Sequence, residues 1–245
     1  MQKTKKTIAI VLAAGKGSRM GSQIQKQYLE LEGHPLLYYS LEAFENSSVD
    51  SIVLVTGNGE EGFCRNHIVE AYGFTKIVAI VPGGKERYHS VYEGLKAAYG
   101  CDNILIHDGA RPCIAKNMIE AAIDGAERYG ACVVGMPVKD TIKVIDQEGN
   151  ASYTPDRNSL WMVQTPQAFS YDLIKSAYDK LFENISLQQG ITDDAMVVET
   201  ITQHKVHLIK GSYENIKVTT PEDLEIAKAF LRRRMISKNS SSNYK

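Results

Sequence analysis

The sequence of 245 residues predicts an α/β fold with a mostly parallel sheet and helices on both faces. Two observations indicate this fold: short apolar segments recur along the chain, and amphipathic segments with helical periodicity lie between them. Strands that are covered on both faces of a parallel sheet are apolar throughout, and these segments are too short for amphipathic helices. The predicted strands are Ile8–Ala13, Ser51–Thr56, Lys76–Val81, Asn103–His107, Cys132–Met136, Val206–Ile209 and Ile216–Val218.

Helical patterns separate most of these strands, as repeated βα units require. A last helix is predicted to begin after Thr220, where a threonine cap, a proline at the first helical position and two acids in the first turn agree. The other predicted helices are Pro35–Asn46, Glu60–Tyr72, Lys85–Tyr99, Lys116–Tyr129, Tyr171–Phe182 and Asp193–Ile201.

One segment interrupts this alternation. The run Asp140–Ile145 alternates in polarity, Asp146–Asn150 has turn chemistry, and a second short run, Ala151–Thr154, follows. This pattern predicts a β-hairpin that projects from the α/β body. A hairpin alone is marginal in water, and a partner subunit is one way to cover it; the alternative is a hairpin folded back on its own domain.

The chain is therefore predicted to form a single α/β domain over residues 1–235, with residues 138–157 as a β-arm for dimerisation. Residues 236–245 are polar and low in complexity, which predicts a flexible tail. No internal repeat divides the domain.

The composition excludes several classes of protein. With 28 basic and 29 acidic residues, the chain is neither a basic nucleic-acid coat nor a protein drawn to membranes by charge. No apolar run reaches 18 residues, so no transmembrane helix is predicted. The four cysteines form no CxxC pair, which disfavours a zinc ribbon and indicates reduced thiols in a cytoplasmic protein. These cysteines are Cys64, Cys101, Cys113 and Cys132.

The first predicted strand runs directly into a glycine-rich loop, residues 12–21. Its spacing fails both the dinucleotide fingerprint and the Walker A pattern at Met20. Glycines allow backbone N–H groups to approach an anion closely. The three nearby cations suit a triphosphate better than the diphosphate of a dinucleotide; the alternative is an ordinary glycine turn. The glycines and cations are Gly15, Lys16, Gly17, Arg19, Gly21 and Lys26.

Two further segments carry polar groups to the ends of predicted strands. His107, Asp108 and Arg111 follow the fourth strand, at the sheet edge where α/β proteins bind ligands. A carboxylate there is suited to Mg²⁺ beside a triphosphate, and the alternative is an Asp108–Arg111 pair that braces a turn. Gly84 and Ser90 lie at another strand-to-helix turn, where the serine is predicted to contact a base edge unless this is a plain helix start.

These segments together resemble the 2-C-methyl-D-erythritol 4-phosphate cytidylyltransferases of non-mevalonate isoprenoid synthesis. The similarity extends from about Ile8 to Leu231. Gly109 stands where the family often has alanine. The matching stretches are VLAAGKGSRMG, KQYLELEGHPLLYYSLEAF, GGKERYHSVYEGL, HDGARPC, PVKDTIK, VQTPQAF, TDDA and ENIKVTTPEDLEIA.

The resemblance implies a Rossmann-like α/β domain that dimerises through its arm and transfers CMP from CTP to the sugar-alcohol phosphate. Arg19 and Lys26 would stabilise charge at the α-phosphate, and Arg157 and Lys217 would position the sugar phosphate. The triphosphate would hold Mg²⁺, with Asp108 as its only protein candidate. The nucleotide site would comprise Ala13, Ala14, Gly15, Lys16, Gly17, Gly84, Ser90, Asp108 and Gly109; Arg111, Thr141, Thr165 and Thr192 would contact the second substrate, some across the dimer.

Two alternatives remain open from the residues. The same chemistry could act on ribitol 5-phosphate, a substrate of a related family that shares the first loop and the QTPQ stretch. A nicotinamide-dependent oxidoreductase is the alternative of another class. The off-register glycines disfavour it, and so does the absence of an acid about 20 residues after the loop that could hold a ribose.

Overall fold

The computed structural model of the chain describes residues 5–15 and 25–242, with side chains as far as Ile236. The strands within these residues are β1 (Thr7–Ala13), β2 (Glu30–Leu31), β3 (His34–Pro35), β4 (Ser51–Thr56), β5 (Ile77–Pro82), β6 (Asn103–Asp108), β7 (Ala131–Pro137), β8 (Val144–Ile145), β9 (Ala151–Tyr153), β10 (Trp161–Ser170) and β11 (His207–Lys210). The helices are α1 (Leu36–Glu45), α2 (Glu61–Cys64, continued by a π-helical segment Arg65–Glu70), α3 (Arg87–Ala97), α4 (Lys116–Tyr129), α5 (Tyr171–Glu183), α6 (Asp194–Thr202) and α7 (Pro221–Ser242).

Seven of the described strands form one sheet in the order β11-β7-β10-β6-β1-β4-β5. β10 is antiparallel to both of its neighbours, and the other six strands are parallel to one another. The predicted α/β fold with a mostly parallel sheet is thus confirmed. The carboxyl ends of β1, β4, β5 and β6 meet at one edge, where open α/β sheets bind ligands.

Alternation along β1 shows how both faces of the sheet are covered. Ala9 and Val11 pack with α1 and α4 on one face, whereas Ile8 and Ile10 pack with α3, α5 and α6 on the other. Both faces are apolar because successive residues of a strand point to opposite sides. Because both faces of the sheet are covered in this way, continuous apolar segments in the sequence predict its strands.

Two sheet predictions differ from the structure. Residues 216–218 form a loop in which Val218 N–H donates to Ala110 O over 2.8 Å, so the strand predicted over Ile216–Val218 is wrong. Conversely, β10 was not predicted. Its middle carries glutamine, threonine and proline, which break a strand pattern, and its pairing with β7 shifts register between Val163 and Gln167.

Residues 144–153 form a two-stranded antiparallel hairpin in which β8 pairs with β9. The Asp146 carboxylate accepts hydrogen bonds from the backbone N–H groups of Glu148 and Asn150, which shapes the turn between the strands. Ile145 and Tyr153 are 63% and 59% exposed. The hairpin thus presents apolar side chains to solvent in the single chain.

The last helix begins at Pro221, directly after the Thr220 predicted to cap it. The Asp223 carboxylate accepts hydrogen bonds from the backbone of Thr219 and Thr220, so it satisfies N–H groups at the start of the helix. The helix continues to Ser242, past the start of the predicted flexible tail, since propagation adds one hydrogen bond per residue once a helix exists. Among the helices that the structure describes, none is long and apolar enough to cross a bilayer.

Candidate active site

A cleft of about 860 Å³ opens at the carboxyl edge of the sheet. It lies over the ends of β1, β4, β5 and β6, the position that the sequence predicts for nucleotide binding. Its lining includes Leu12, Ala13, Ala14, Gly15, Gln25, Lys26, Gln27, Gly57, Asn58, Glu60, Gly83, Gly84, Lys85, Glu86, Arg87, Ser90, Asp108, Ala110 and Lys217.

Asp108, the last residue of β6, lies among three cations. Lys217 Nζ is 2.8 Å from its Oδ2, Arg87 Nε is 3.3 Å from its Oδ1, and Arg111 Nε is 3.8 Å from Oδ2. Burial alone would raise the pKa of this carboxyl, but the three cations outweigh burial and hold its pKa well below the usual range. Asp108 is therefore an anion throughout the physiological pH range.

Arg87 connects Asp108 to a second carboxylate. Its two terminal nitrogens donate to the two oxygens of Asp194, each over 2.8 Å. Burial lowers the pKa of Arg87, but Asp194 and Asp108 outweigh that effect and raise its pKa well above the ordinary value. Arg87 lies in the GGKERYHSV stretch, yet its role was not predicted from the sequence.

Lys217 reaches Asp108 because the loop before α7 is tied to the sheet edge. The buried Asn215 donates from Nδ2 to Thr165 O over 2.9 Å, and its own carbonyl accepts from Arg111 over 2.8 Å. On the other side of Lys217, Val218 N–H donates a hydrogen bond to Ala110 O. These bonds hold Lys217 between two fixed points of the loop.

Thr165 lies beneath Asp108 and supports its backbone. Its hydroxyl accepts from Asp108 N–H over 3.1 Å and lies 2.9 Å from His107 Nδ1. The tautomer of the imidazole decides which of these two atoms donates the hydrogen bond. Burial lowers the pKa of His107 to about 3, with Asp108 opposing that effect, and the ring is therefore neutral at pH 7.

The turn after β5 forms part of the cleft wall and is held by two hydrogen bonds. Ser90 Oγ accepts from Gly84 N–H over 3.1 Å, and Gly83 N–H donates to Thr56 O over 2.7 Å. A Cβ on Gly83 would overlap Ala14 Cβ and lie 2.7 Å from Ser90 Oγ. The turn therefore requires glycine, and Ser90 stabilises it from within the cleft wall.

Gly109 and Ala110 follow Asp108 around the end of β6. Gly109 N–H donates to Leu12 O over 2.9 Å, and a Cβ at this position would lie 2.7 Å from Leu37 Cδ1. Ala110 lines the cleft directly. Gly109 thus permits the close approach of β6 to β1 beneath the cleft.

Lys26 lies on the same wall of the cleft as Lys217. Its Nζ donates to Val218 O over 3.2 Å. The adjacent Gln27 is buried and donates to Ala13 O over 2.6 Å, which joins the segment after the glycine-rich loop to the end of β1. Lys16, Gly17 and Arg19, which the sequence assigns to the nucleotide site, lie outside the described residues.

The residues assigned to the second substrate are distributed over three places. Arg111 and Thr165 belong to the cluster around Asp108. Thr192 lines a smaller cavity of about 80 Å³ that shares Glu86 and Arg87 with the main cleft. Thr141 and Arg157 lie on the exposed arm segment, away from the cleft lining.

Arg157 is fixed at the base of the arm. It begins a short 3₁₀ turn, and its guanidinium donates to Lys139 O over 2.9 Å. Val138 N–H donates to Leu160 O over 3.0 Å, which closes the arm on itself. The arm is thus an excursion between β7 and β10 with a basic residue near its root.

Comparison with known proteins shows which family the chain belongs to. A model of the family described as IspD, 2-C-methyl-D-erythritol 4-phosphate cytidylyltransferase, matches residues 7–233. The chain belongs to this family. The resemblance drawn from the motifs is confirmed.

Similar relatives cover almost the full chain. The 2-C-methyl-D-erythritol 4-phosphate cytidylyltransferase of Lachnospira eligens is 51% identical over 225 residues, 91% of this chain and 98% of the relative. That of Lachnoclostridium phytofermentans is 49% identical over 229 residues, 93% and 97% of the two chains. The crystal structure of 4-diphosphocytidyl-2C-methyl-D-erythritol synthase from Anaerococcus prevotii has a TM-score of 0.81 at 32% identity, covering 93% of this chain and 96% of that one.

The donor set of this IspD-family site does not fit a metal ion held by protein ligands. Within residues 5–15 and 25–236, no group of three or more His, Cys, Asp or Glu side chains is arranged to hold a metal. The Asp108 carboxylate already has Lys217 and Arg87 at its two oxygens. Hard divalent cations prefer several oxygen ligands, so Asp108 alone makes a poor site.

Several site residues of this family member escaped the sequence analysis. Asp194 lies in TDDA, Gln167 in VQTPQAF and Asn215 in ENIK, all stretches that carry the family resemblance. Each is buried and polar, and each bonds to a residue distant in the chain. Only those motifs could have indicated them, because no local pattern predicts partners so far apart in sequence.

Proposed function

We propose that the chain transfers CMP from CTP to 2-C-methyl-D-erythritol 4-phosphate and releases pyrophosphate. The observation that carries this proposal is the placement of Lys26 and Lys217 on one wall of a glycine-lined cleft, beside the Asp108 cluster. Two ammonium groups there suit the phosphates of both substrates. Membership of the cytidylyltransferase family supports the choice of reaction.

The reaction needs no protein nucleophile. An anionic oxygen of the substrate phosphate attacks the α-phosphorus of CTP and forms a new P–O bond. The bond from the α-phosphorus to the bridging oxygen breaks in line, and pyrophosphate leaves with that electron pair. The protein positions the groups and cancels charge on the α-phosphoryl oxygens, which is how proteins catalyse most phosphoryl transfers.

Lys26 is proposed to stabilise the transition state, together with Arg19 from the glycine-rich loop. Gln27 holds the segment of Lys26 to the end of β1, so its ammonium is positioned before substrate arrives. Lys217 is proposed to bind the sugar phosphate. When it moves to that phosphate, Asp108 keeps Arg87 and Arg111 as partners and remains an anion beside the nucleotide.

The turn after β5 is proposed to receive the base. Gly84 and Ser90 present backbone and hydroxyl groups at the cleft, and the bond between them makes this wall rigid. Ala13, Ala14 and Gly15 would lie along the nucleotide next to this turn, followed by Lys16 and Gly17 of the same loop. Gly109 and Ala110 would lie near the ribose.

Mg²⁺ is proposed to enter with CTP as part of the substrate. Asp108 carries a lysine and an arginine at its two oxygens, which favours metal binding by the triphosphate over binding by protein carboxylates. When bound, Mg²⁺ would supply charge neutralisation on the triphosphate, and Lys26 and Lys217 would add their positive charge beside it.

A homodimer is proposed to complete the second substrate site. The arm exposes Ile145 and Tyr153, and Arg157 and Thr141 lie outside the cleft of their own chain. An arm that packs against a second copy would cover these apolar side chains and carry Arg157 and Thr141 towards the cleft of the partner. Thr165 and Thr192 would contribute from the same chain.

The test is pyrophosphate release with Mg²⁺, crossing CTP and UTP with 2-C-methylerythritol 4-phosphate and ribitol 5-phosphate. Release with CTP and the methylerythritol phosphate alone is the expected result. Release with ribitol phosphate instead would replace the substrate assignment and keep the nucleotide site. Folded protein that releases pyrophosphate in none of the four combinations would overturn the proposal.

A further inference from the structure

Arg87 lies between two carboxylates and uses different nitrogens for each. Its terminal nitrogens donate to both oxygens of Asp194 over 2.8 Å, whereas Nε donates to Asp108 over the longer distance of 3.3 Å. Two parallel bonds of this kind fix a guanidinium more firmly than one. The orientation of Arg87 is therefore set chiefly by Asp194.

Asp194 is anchored in the protein interior. Its side chain is fully buried, and its Oδ1 also accepts a hydrogen bond from the Tyr178 hydroxyl over 2.6 Å. Its backbone N–H donates to Gln167 Oε1 over 3.0 Å, which connects the start of α6 to β10. A buried carboxylate is costly unless it is paired and hydrogen-bonded, and these contacts meet both conditions.

Arg87 has access to the nucleotide cleft although Asp194 does not. Its side chain is 28% exposed and lines the cleft, whereas that of Asp194 is 0% exposed. A guanidinium is a preferred bidentate partner of phosphate. If its terminal nitrogens were released from Asp194, Arg87 would be the cleft residue best suited to capture a phosphate group.

We propose that Asp194 is a positioning residue that keeps Arg87 directed at Asp108 and away from the phosphates in the cleft, an inference that rests on the proposed function. With Asp194 in place, Arg87 serves as the constant partner of Asp108 while Lys217 exchanges between Asp108 and the sugar phosphate. Without it, Arg87 would hold pyrophosphate or the triphosphate in unproductive arrangements and compete with Lys26.

The principal variant is Asp194→Asn, tested by titration calorimetry with inorganic pyrophosphate and by steady-state kinetics. We expect about tenfold tighter pyrophosphate binding, because a released guanidinium adds charge-assisted hydrogen bonds. We expect kcat to fall about tenfold with no increase in KM for CTP. A purely structural role would lower kcat through loss of active protein and leave pyrophosphate affinity unchanged, and that result would overturn the proposal.

A milder variant keeps the test decisive if Asp194→Asn does not fold. Tyr178→Phe removes one hydrogen bond to Asp194 and preserves every charge. It is expected to tighten pyrophosphate binding about two- to threefold, since Asp194 then holds Arg87 less firmly. Folded Tyr178→Phe protein with wild-type pyrophosphate affinity would contradict the proposal.

Asp193→Asn is the matched control. It removes the same charge one residue away, from a side chain that accepts hydrogen bonds from Met196 N–H, which it caps, and from the Gln167 amide. Its pyrophosphate affinity is expected to equal that of wild type. A tenfold increase in this control would show that any lost carboxylate has the effect and would reject the role of Asp194.

A double variant distinguishes capture of pyrophosphate by the Arg87 guanidinium from a general change in the electrostatic field of the cleft. Arg87→Gln added to Asp194→Asn is expected to return pyrophosphate affinity to the wild-type value; continued tight binding would show that Arg87 is not the residue that captures pyrophosphate.

The pyrophosphate affinity measured by calorimetry does not depend on turnover. A wild-type enzyme that makes no product would overturn the proposed function, and the affinity shift would still decide the role of Asp194.

Discussion

Lys26 donates a hydrogen bond to the backbone carbonyl of Val218, the residue that follows Lys217. The contact joins the segment after the glycine-rich loop to the loop before α7. Two ammonium groups from distant parts of the chain thereby lie on one wall of the cleft. In the proposed function Lys26 acts on the CTP phosphate and Lys217 on the sugar phosphate, and each lysine can be removed separately.

Lys26→Ala is expected to lower kcat more than it changes KM for CTP. The reason is that Lys26 is assigned to charge that develops in the transition state, and removal of such a donor costs about 3 kcal/mol, or roughly 100-fold in kcat. Steady-state kinetics with both substrates measures the effect. Lys96→Ala, which removes an exposed lysine paired with Glu93, is the control and should retain full activity. A change in KM alone would reject the role of Lys26.

Arg157→Ala is expected to raise KM for the sugar phosphate at least tenfold and to leave KM for CTP unchanged. The guanidinium lies on the arm and is assigned to phosphate recognition, where a charge-assisted pair is worth about 1.5–3 kcal/mol. Initial rates over a range of each substrate provide the measurement. Equal effects on both substrates would contradict the assignment.

Mixing the two variants at a sugar-phosphate concentration well below the KM of Arg157→Ala, where both homodimers are slow, tests whether Arg157 acts across the dimer. If the arm of one protomer serves the cleft of its partner, a heterodimer of Arg157→Ala and Lys26→Ala chains contains one intact site. Random pairing of equal amounts would restore about a quarter of wild-type activity, because half of the dimers are mixed and one site in two is intact. No recovery after verified subunit exchange would place Arg157 in its own site.

Gly83→Ala is expected to weaken CTP binding and destabilise the fold. The added methyl group would overlap Ala14 and crowd Ser90, and overpacking of this kind costs about 1–3 kcal/mol. Calorimetric titration with CTP and thermal unfolding measure the two effects. Gly62→Ala, where no atom lies within 4 Å of the new Cβ, should leave both unchanged or slightly stabilise α2.

The free energy of unfolding is expected to fall as the pH is lowered from 7 to 5. The pKa of His107 is about 3 in the folded protein and near 6.5 in the unfolded chain, so the unfolded state binds the extra proton within this window. Stability therefore increases with pH, and His107 contributes about 2 kcal/mol to the change.

His107→Asn removes this titration and offers Thr165 an amide group, which can donate or accept, in place of Nδ1. The free energies of unfolding of wild type and His107→Asn are measured with denaturant at pH 5, 6 and 7. The wild-type value should fall towards that of the variant as the pH is lowered, because only the wild type loses the contribution of His107. Carboxylates with lowered pKa values, such as that of Asp223, titrate below this range in both proteins. Parallel pH profiles would show that His107 does not carry the effect.

The sequence predicted those parts of the fold that local patterns determine. β1, β4 and β6 have continuous apolar centres and are covered on both faces, so composition alone located them. β10 escaped detection because its central residues are polar and face other polar groups within the site. The segment Ile216–Val218 has the composition of a strand. It is a loop in the structure, where Val218 N–H donates to Ala110 O in the loop after β6 instead of pairing at a sheet edge.

The residues of the candidate site likewise fall into those that local sequence patterns predict and those that only the folded chain brings together. Asp108 was predicted because a carboxylate follows a buried strand, and that rule is local. Arg87 and Asp194 each lie near the start of a predicted helix, and neither local pattern indicates a partner. Their pairing depends on the packing of α3 against α5 and α6, which only the folded chain determines.

The reversed direction of β10 has a consequence for how such an enzyme can diversify. Trp161 pairs with Pro137 at the ligand-bearing edge, so the arm leaves and re-enters the domain at neighbouring points. An excursion with adjacent ends behaves as an exchangeable module: its length and side chains can change while the register of the six parallel strands is preserved. The contribution proposed for the arm, recognition of the acceptor through Thr141 and Arg157, can therefore change without altering the strands beneath the nucleotide cleft.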